Sequence, residues 1–369
     1  MNIWMTARAT GNPYMTLLVE HLHAQGVVSR ASEPQETITA DLARYGRPDI
    51  LHLHWLNVFF LRNHSRLATA RATALAGWFN TLLRGLKRAG TGLVWTAHNS
   101  HNHEMRRPKL DRFCHETVIK HADAILAHSQ TAKEMLVADF DISDADKVRV
   151  IPHGHYIDSY PNESDASSAR EALGLDEERP VFVYFGRIRP YKNIPRLVDA
   201  FTALTDKVSD AGSDPARRPL LVIAGSVSDE RLEAEIRRHI GAHADIVFHP
   251  AFIPDEDIQL YMNAADAVVL PYREILTSGT AVLAMSFGRA VIAPRLGTLR
   301  DVLDQQNTLL YPTGESDDLS GLVAAMEKAM GLGRTTLEEI GRQNLERARH
   351  WDWSGVARAT RQVYESILS

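Results

Sequence analysis

Three features are scarce or missing in this sequence, and the first is cysteine. Only Cys114 occurs among 369 residues, which excludes an intramolecular disulfide and a zinc site built from cysteines. Such composition is typical of reducing compartments, so we expect a cytoplasmic protein. Long apolar runs are the second absence. No run approaches the roughly 18 residues that a membrane-spanning helix needs, and the stretch after Met1 has no signal-peptide pattern.

A basic excess is the third absence. The chain has 41 lysines and arginines against 46 aspartates and glutamates, which gives a net charge of −5. Nucleic-acid binding generally needs strong positive charge or a concentrated basic face, so no nucleic-acid partner is expected. The hydrophobic content of 44% and the charged content of 24% are ordinary for a globular protein, and the length suits two domains.

Alternating strand and helix patterns occupy both halves of the chain. Repeated βα units predict an α/β fold with two Rossmann-like domains, each a doubly wound parallel sheet, facing a central cleft. A polar segment with proline and several serines interrupts the alternation and indicates the domain boundary. We predict an N-terminal domain over residues 1–158, a linker over 159–178 and a C-terminal domain over 179–348.

One stretch joins an apolar strand to a helix through a loop that carries three cations. Val181–Phe185 is apolar throughout, Gly186 permits a tight exit from the strand, and Pro195 suits the first turn of a helix. The cations of the loop are Arg187, Arg189 and Lys192. Ligands of open α/β sheets bind at the carboxyl ends of the strands, so we interpret this loop as a site for an anion such as a diphosphate. Three solvated surface charges are the alternative.

Three longer motifs of the second half resemble the GT-B glycosyltransferases of family 4, also called group 1. They are FGRIRPYKN at Phe185–Asn193, VFHPAFIPDEDIQLYMNAADAVVLPYRE at Val247–Glu274, and SGTAVLAMSFGRAVIAPRLGTLRDVL at Ser278–Leu303. The resemblance implies the GT-B fold and a final segment, residues 349–369, that crosses back to the first domain. Together, HLHW at His52–Trp55 and TAHN at Thr96–Asn99 resemble the subgroup of exopolysaccharide β-mannosyltransferases.

The resemblance also implies a donor site in the C-terminal domain. Arg187 and Lys192 would hold the diphosphate of a nucleotide sugar and stabilise it as it leaves, while Glu274 would accept hydrogen bonds from sugar or ribose hydroxyls. Backbone N–H groups at a helix start near Gly279 suit the same anion on physical grounds. The donor-binding candidates are Gly186, Arg187, Lys192, Phe252, Ile253, Glu274, Ser278, Gly279 and Thr280. Many relatives have a second glutamate in this helix, where this chain has Leu283.

The candidate residues of the N-terminal domain cluster after its predicted strands. His98 and Glu104 are candidates for proton transfer, because an imidazole titrates near neutrality and a carboxylate can act as a general base. The acceptor-side candidates are Gly11, Asn12, His54, Trp55 and Asn99. A plain helix start at Pro13 is the alternative for the first two. The three histidines at 98, 101 and 103 with Glu104 suggest a metal site, but their spacing matches no zinc pattern, so no metal is expected.

The segment Trp78–Arg88, WFNTLLRGLKR, is both basic and amphipathic. Such a helix can lie on an anionic membrane, which would place the protein at the inner face of the cell membrane and near lipid-linked acceptors. A helix that packs its apolar side into the core is the alternative.

These observations predict a metal-independent glycosyltransferase without a cofactor. We expect it to move a sugar, for example mannose from GDP-mannose, from a nucleoside-diphosphate donor to a carbohydrate or lipid-linked acceptor. The alternatives are a GT-B epimerase or hydrolase of nucleotide sugars, and a binding module without activity. The stereochemistry stays open, because an inverting reaction needs a base such as Glu104 or His98 and a retaining reaction does not.

Overall fold

The computed structural model describes residues 1–6, 13–32, 38–59, 67–101, 107–210, 218–303, 309–312 and 319–369. The chain divides into two compact units. The first comprises Met1–Gly154 together with Trp351–Ser369, and the second comprises His155–His350. Within these ranges, no helix is long and apolar enough to cross a membrane.

Strands and helices alternate along most of the chain. The strands are β1 Asn2–Thr6, β2 Val28–Ser32, β3 Ile50–Leu53, β4 Gly92–Thr96, β5 Ala124–Ala127, β6 Val148–Val150, β7 Val181–Phe185, β8 Leu220–Ala224, β9 Ile246–His249, β10 Ala267–Val269, β11 Ala290–Pro294 and β12 Leu310–Tyr311. The helices are α1 Pro13–Ala24, α2 Ile38–Tyr45, α3 Leu67–Arg88, α4 Pro108–His121, α5 Gln130–Asp139, α6 Ala166–Ala172, α7 Ile194–Asp210, α8 Glu230–Ile240, α9 Ile258–Ala264, α10 Gly279–Ser286, α11 Leu299–Val302, α12 Leu319–Arg349 and α13 Trp353–Leu368.

The first unit contains a parallel sheet with the strand order β2-β1-β3-β4-β5-β6. The chain passes from β1 to β2 on one side and then returns to continue through β3 on the other. The direction of winding therefore reverses between β1 and β3. In open α/β sheets, ligands bind beyond the carboxyl ends of the strands at such a topological switch point.

Helices α1 and α13 complete the core of the first unit. Apolar residues of α13 recur every three or four positions, which buries one side of the helix. Trp353 and Tyr364 lie in one buried cluster with Leu18 and Leu22 of α1. Gly154 provides the space for the indole, because a Cβ atom there would lie 2.3 Å from Trp353 Cε2. The last residues of the chain are thus part of the same core as the first.

The second unit contains a parallel sheet with the order β12-β11-β10-β7-β8-β9. Counted from its own first strand, this is the Rossmann order 3-2-1-4-5-6, with the switch point between β7 and β10. All five residues of β7 are buried, as expected for a central strand covered on both faces. The prediction of two doubly wound parallel-sheet domains is confirmed.

Several local features differ from the sequence expectations. Strand β2 and helix α2 were not predicted; β2 is an edge strand whose sequence, VSRAS, has no apolar run. The segment predicted as a linker contains α6 and belongs to the second unit, where buried Arg170 forms a 2.9 Å ion pair with Asp266. Helix α12, near the end of the second unit, is interrupted by the non-helical backbone of Gly333.

Candidate functional site

The switch point of the second sheet is occupied by the loop that follows β7. Gly186 N–H donates to the carbonyl of Ala224 at 3.0 Å, and Ile188 N–H donates to that of Ser226 at 2.8 Å. The loop therefore continues the pairing of β7 with β8. Gly225 makes this approach possible, since its φ is 142° and a Cβ atom there would lie 2.1 Å from Gly186 O.

Lys192 is a buried cation at this edge of the sheet. Its side chain is 8% exposed, and its ammonium donates to Tyr272 Oη at 2.7 Å and lies 3.9 Å from the centre of the Tyr272 ring. Burial lowers the pKa of Lys192, and the neighbouring Tyr191 opposes that shift. Burial also raises the pKa of Tyr272 to about 12, so this phenol stays a neutral partner. Within the described residues, Lys192 is thus hydrogen-bonded to a phenol and not to a carboxylate.

The start of α10 lies against the same loop. Ser278 is the N-cap, and its Oγ accepts from Ala281 N–H at 3.2 Å. A Cβ atom on Gly186 would lie 3.2 Å from Thr280 Oγ1, which shows how closely loop and helix approach. The Oγ1 of Thr277 is buried and has no hydrogen-bond partner among the described residues. The first amides of a helix lack intrahelical partners, so Lys192 and the α10 start together form a cradle for an anion.

A cluster of histidines marks the carboxyl edge of the first sheet. His54 follows β3, His98 follows β4, His128 follows β5 and His153 follows β6. Each is at most 8% exposed. The ring of Tyr14, from the start of α1, lies within 6.0 Å of all four, centre to centre.

Hydrogen bonds link most of these rings to one another or to the backbone. His54 Nδ1 lies 3.1 Å from His98 Nε2, and His98 Nδ1 lies 3.4 Å from His128 Nε2. His128 Nδ1 is 3.0 Å from the Ile151 carbonyl oxygen. His52 lies one step inside β3, where Nδ1 is 2.6 Å from Tyr364 Oη and Nε2 is 2.7 Å from Thr96 Oγ1.

Burial keeps these imidazoles neutral. Loss of hydration lowers the pKa of His52 to about 3, of His128 to about 4 and of His153 to about 3. The pKa values of His54 and His98 are also well below the usual range, first because of burial and second because neighbouring histidines repel a second charge. The cluster therefore offers uncharged donors and acceptors at neutral pH.

Sequence profiles of two known families match the chain. The profile described as Glycosyl transferases group 1 matches residues 179–330, and the one described as Glycosyltransferase Family 4 matches residues 29–158. The chain belongs to the GT-B glycosyltransferases. This glycosyltransferase is 27% identical over 314 residues to the D-inositol 3-phosphate glycosyltransferase of Corynebacterium glutamicum, covering 80% of this chain and 71% of the relative. It is 28% identical over 287 residues to the GDP-mannose:glycolipid 4-beta-D-mannosyltransferase of Xanthomonas campestris, covering 78% and 70%.

Solved structures give the same fold. The sucrose-phosphate synthase of Thermosynechococcus elongatus superposes with a TM-score of 0.76 at 19% identity, covering 99% of this chain and 98% of that one. HepE of Anabaena, solved in complex with UDP, gives 0.69 at 16% identity, covering 99% of each chain. The predicted family resemblance and the GT-B fold are confirmed.

The remaining donor-side candidates of the glycosyltransferase differ in exposure. Arg187 is exposed and Glu274 is half-buried. Phe252 is 72% exposed, an unusual state for a large apolar side chain and one that leaves it available to a ligand, and Ile253 beside it is half-buried. Leu283, at the place of the second glutamate of relatives, is buried inside α10.

The candidates of the first unit fall into two groups. His54 and His98 are brought together, with Trp55 stacked on His98 at a centre-to-centre distance of 4.4 Å and with Asn99 next in the chain. Gly11, Asn12 and Glu104 lie outside the described residues, as does His103. Among the residues that are described, no group of three or more histidine, cysteine, aspartate or glutamate side chains is arranged to bind a metal ion.

Sequence reasoning missed three members of the two sites. His128 and His153 each follow a strand, as His54 and His98 do, so the recurrence of histidine after β3 to β6 was a usable signal. Tyr272 lies in the motif Val247–Glu274, but nothing in the sequence indicated that its hydroxyl would contact Lys192.

Helix α3 shows how the basic segment Trp78–Arg88 is used. Phe79, Leu83 and Leu86 are buried, and the helix packs against α4. Arg84 and Arg88 are exposed. The apolar side of α3 is therefore used for core packing, as the core-packing alternative predicts, and Arg84 and Arg88 stay on its accessible side.

Proposed function

We propose that the enzyme transfers a sugar from a nucleoside diphosphate to a hydroxyl group of a carbohydrate or lipid-linked acceptor, without a metal ion. The observation that carries this proposal is the anion cradle at the switch point of the second sheet. There, a buried lysine and the amides of a helix start converge. Such a cradle suits a diphosphate better than a neutral ligand, since no carboxylate in the described part of the chain is hydrogen-bonded to Lys192.

The same groups explain how transfer would be accelerated. As the bond between the anomeric carbon and the diphosphate oxygen breaks, negative charge grows on the diphosphate. Lys192, Arg187 and the first amides of α10 would stabilise that charge. Because Lys192 is buried, its attraction to the phosphate is stronger than it would be in water. Tyr272 would hold the ammonium in position between turnovers.

The names of the relatives suggest which substrates to try first. One relative is a GDP-mannose:glycolipid mannosyltransferase and another a D-inositol 3-phosphate glycosyltransferase. We propose a hexose donor, with GDP-mannose the first to be tested, and an acceptor carried by a lipid. A lipid-linked acceptor would require the enzyme to work at the inner face of the cell membrane, with α3 presenting Arg84 and Arg88 to anionic headgroups.

The proposal is tested by measuring the release of nucleoside diphosphate. The donors are UDP-, GDP-, ADP- and dTDP-sugars, each with and without a membrane-lipid extract. Lys192→Ala and Arg187→Ala should each lower turnover by roughly tenfold or more. The matched control is Lys207→Ala. Lys207 lies on α7, the helix that follows the loop, and its exposed side chain is paired with Glu327 of α12. Activity should persist in a chelator, and a requirement for added divalent ion would refute metal independence.

A binding module without activity is the second candidate, because buried Leu283 replaces an acidic residue of relatives. Donor binding by thermal shift, with no release of nucleoside diphosphate from any of these donors, would favour it over the enzyme.

A further inference from the structure

His54 lies at the switch point of the first sheet. It directly follows β3, and β3 and β1 are the two strands between which the winding reverses. Ligands of such sheets bind beyond the carboxyl ends of these strands. His54 is therefore the member of the histidine cluster at the position where this architecture places a ligand.

The hydrogen bonds of the cluster determine which nitrogens carry protons. The Ile151 carbonyl oxygen can only accept, so His128 must donate from Nδ1, and its Nε2 is bare when the ring is neutral. His98 then donates from Nδ1 to His128 Nε2, which leaves His98 Nε2 bare. His54 donates from Nδ1 to His98 Nε2, which leaves His54 Nε2 bare.

The opposite direction of donation between His54 and His98 is less favourable. If His98 donated from Nε2 to His54 Nδ1, then His98 Nδ1 and His128 Nε2 would be two bare lone pairs 3.4 Å apart. His54 would also carry a buried N–H without a partner. The Nδ1–H arrangement makes three hydrogen bonds where the other makes two, so we infer that the chain of rings has one direction.

The last nitrogen of this chain is unsatisfied. His54 is 1% exposed, and its Nε2 is buried without a hydrogen-bond partner among the described residues. A buried acceptor left in this state costs roughly 1–3 kcal/mol, so it calls for an explanation in function. A bare ring nitrogen accepts, so its partner is a hydrogen-bond donor rather than an anion, and no group of metal ligands is arranged around it among the described residues.

We propose that His54 Nε2 accepts a hydrogen bond from a hydroxyl group of the carbohydrate acceptor, and that His98 and His128 are positioning residues that lock the His54 tautomer. Only the identity of the hydroxyl as part of an acceptor sugar rests on the proposed function. Stacking of Trp55 on His98, at 12° between planes, holds the middle ring of the chain.

The tautomers can be measured without any substrate. Nitrogen NMR of the full-length protein with ¹⁵N-histidine, assigned through single variants, should show protonated Nδ1 and bare Nε2 for His54, His98 and His128. The form with Nε2–H is the usual one for a free imidazole, so three Nδ1–H rings would be a distinctive result. In His128→Phe, the His54 signal should shift toward the Nε2–H form. A His54 ring with Nε2–H in the unaltered protein would overturn the inference.

Steady-state kinetics test whether an acceptor hydroxyl binds to His54. Once turnover with a lipid extract is established, His54→Phe should raise the acceptor KM by roughly twofold to tenfold, the value of one hydrogen bond, and leave the donor KM unchanged. His54→Gln, whose amide oxygen can replace Nε2 as an acceptor, should recover part of the loss. His128→Phe should raise the acceptor KM although it is two rings away.

The matched control is His115→Gln, which alters a buried histidine of α4 that lies outside the cluster and whose Nδ1 is bonded to the Asp111 carbonyl oxygen. It should leave the acceptor KM unchanged. An unchanged acceptor KM in His54→Phe would overturn the inference and indicate that water alone occupies the position. If no donor or acceptor is turned over, the proposed function fails, and the NMR result alone decides the tautomer lock.

Discussion

Mild acid should destabilise the first unit, because its core contains histidines that stay neutral at such a pH only while the protein is folded. Burial lowers the pKa of His52 and His153 to about 3 and of His128 to about 4. In the unfolded chain an imidazole has a pKa near 6.5. Below that pH the unfolded state binds protons that the folded state excludes. The contribution of these histidines to the free energy of unfolding is therefore fully present above pH 6.5. It is lost as the pH falls from 6.5 toward their folded-state pKa values.

The size of the loss follows from these values. At pH 5.5, an unfolded imidazole of pKa near 6.5 gains about 1.4 kcal/mol from protonation, whereas a folded one of pKa 3 to 4 gains almost nothing. The three histidines together should therefore lower the free energy of unfolding by about 4 kcal/mol between pH 7.5 and pH 5.5. A loss of this size is a large part of the stability of an ordinary domain.

Tryptophan fluorescence is a suitable readout, because all six tryptophans lie in the first unit. Urea unfolding followed at both pH values gives the loss of stability. His52→Gln removes one titrating group, so its loss should be smaller by about 1.4 kcal/mol, and any pH-independent effect of the substitution cancels in the difference. Met15→Leu, a volume-conserving change in the same core, should show the loss of the unaltered protein. Equal stability at both pH values would refute the reasoning, as would an unaltered loss in His52→Gln.

Three further predictions concern backbone contacts and the cradle. Gly225→Ala should weaken nucleoside-diphosphate binding at least tenfold by calorimetry, since its Cβ would collide with Gly186 O; unchanged affinity would contradict the loop geometry. Nucleoside-diphosphate affinity should fall as the pH rises through the pKa of Lys192, which burial places below its ordinary value. Lys192→Met should remove that alkaline limb, and a limb that persists would point to another group. Gly154→Ala should cost about 1–3 kcal/mol in urea unfolding, because its Cβ would overlap the Trp353 indole, and an unshifted midpoint would show that the indole can move.

Local patterns were enough to predict much of the fold. Val181–Phe185 is a strand with the predicted bounds, since a compact apolar run is a strong signal. Strand β2 has no such signal, because an edge strand with a single neighbour needs little apolar surface. Its sequence was therefore indistinguishable from a loop.

The candidate sites were predictable only in part, because side chains meet across long separations. His52 is bonded to Tyr364, which is 312 positions away, and Lys192 to Tyr272, which is 80 positions away. A strand followed by glycine and lysine indicates where an anion would bind. The structure has Lys192 in the segment that follows β7, as this pattern predicts. Nothing in a linear pattern shows which ring nitrogen of His54 stays bare, since that depends on the Ile151 carbonyl and two intervening rings.

The return of α13 to the first unit has a consequence for how the protein is made. A ribosome finishes the whole second unit, through His350, before it supplies the residues that close the core around Tyr14 and Leu18. Domains generally fold as units during synthesis, in order from the amino terminus. Here the first unit cannot complete its core until the residues of the second unit have been synthesised.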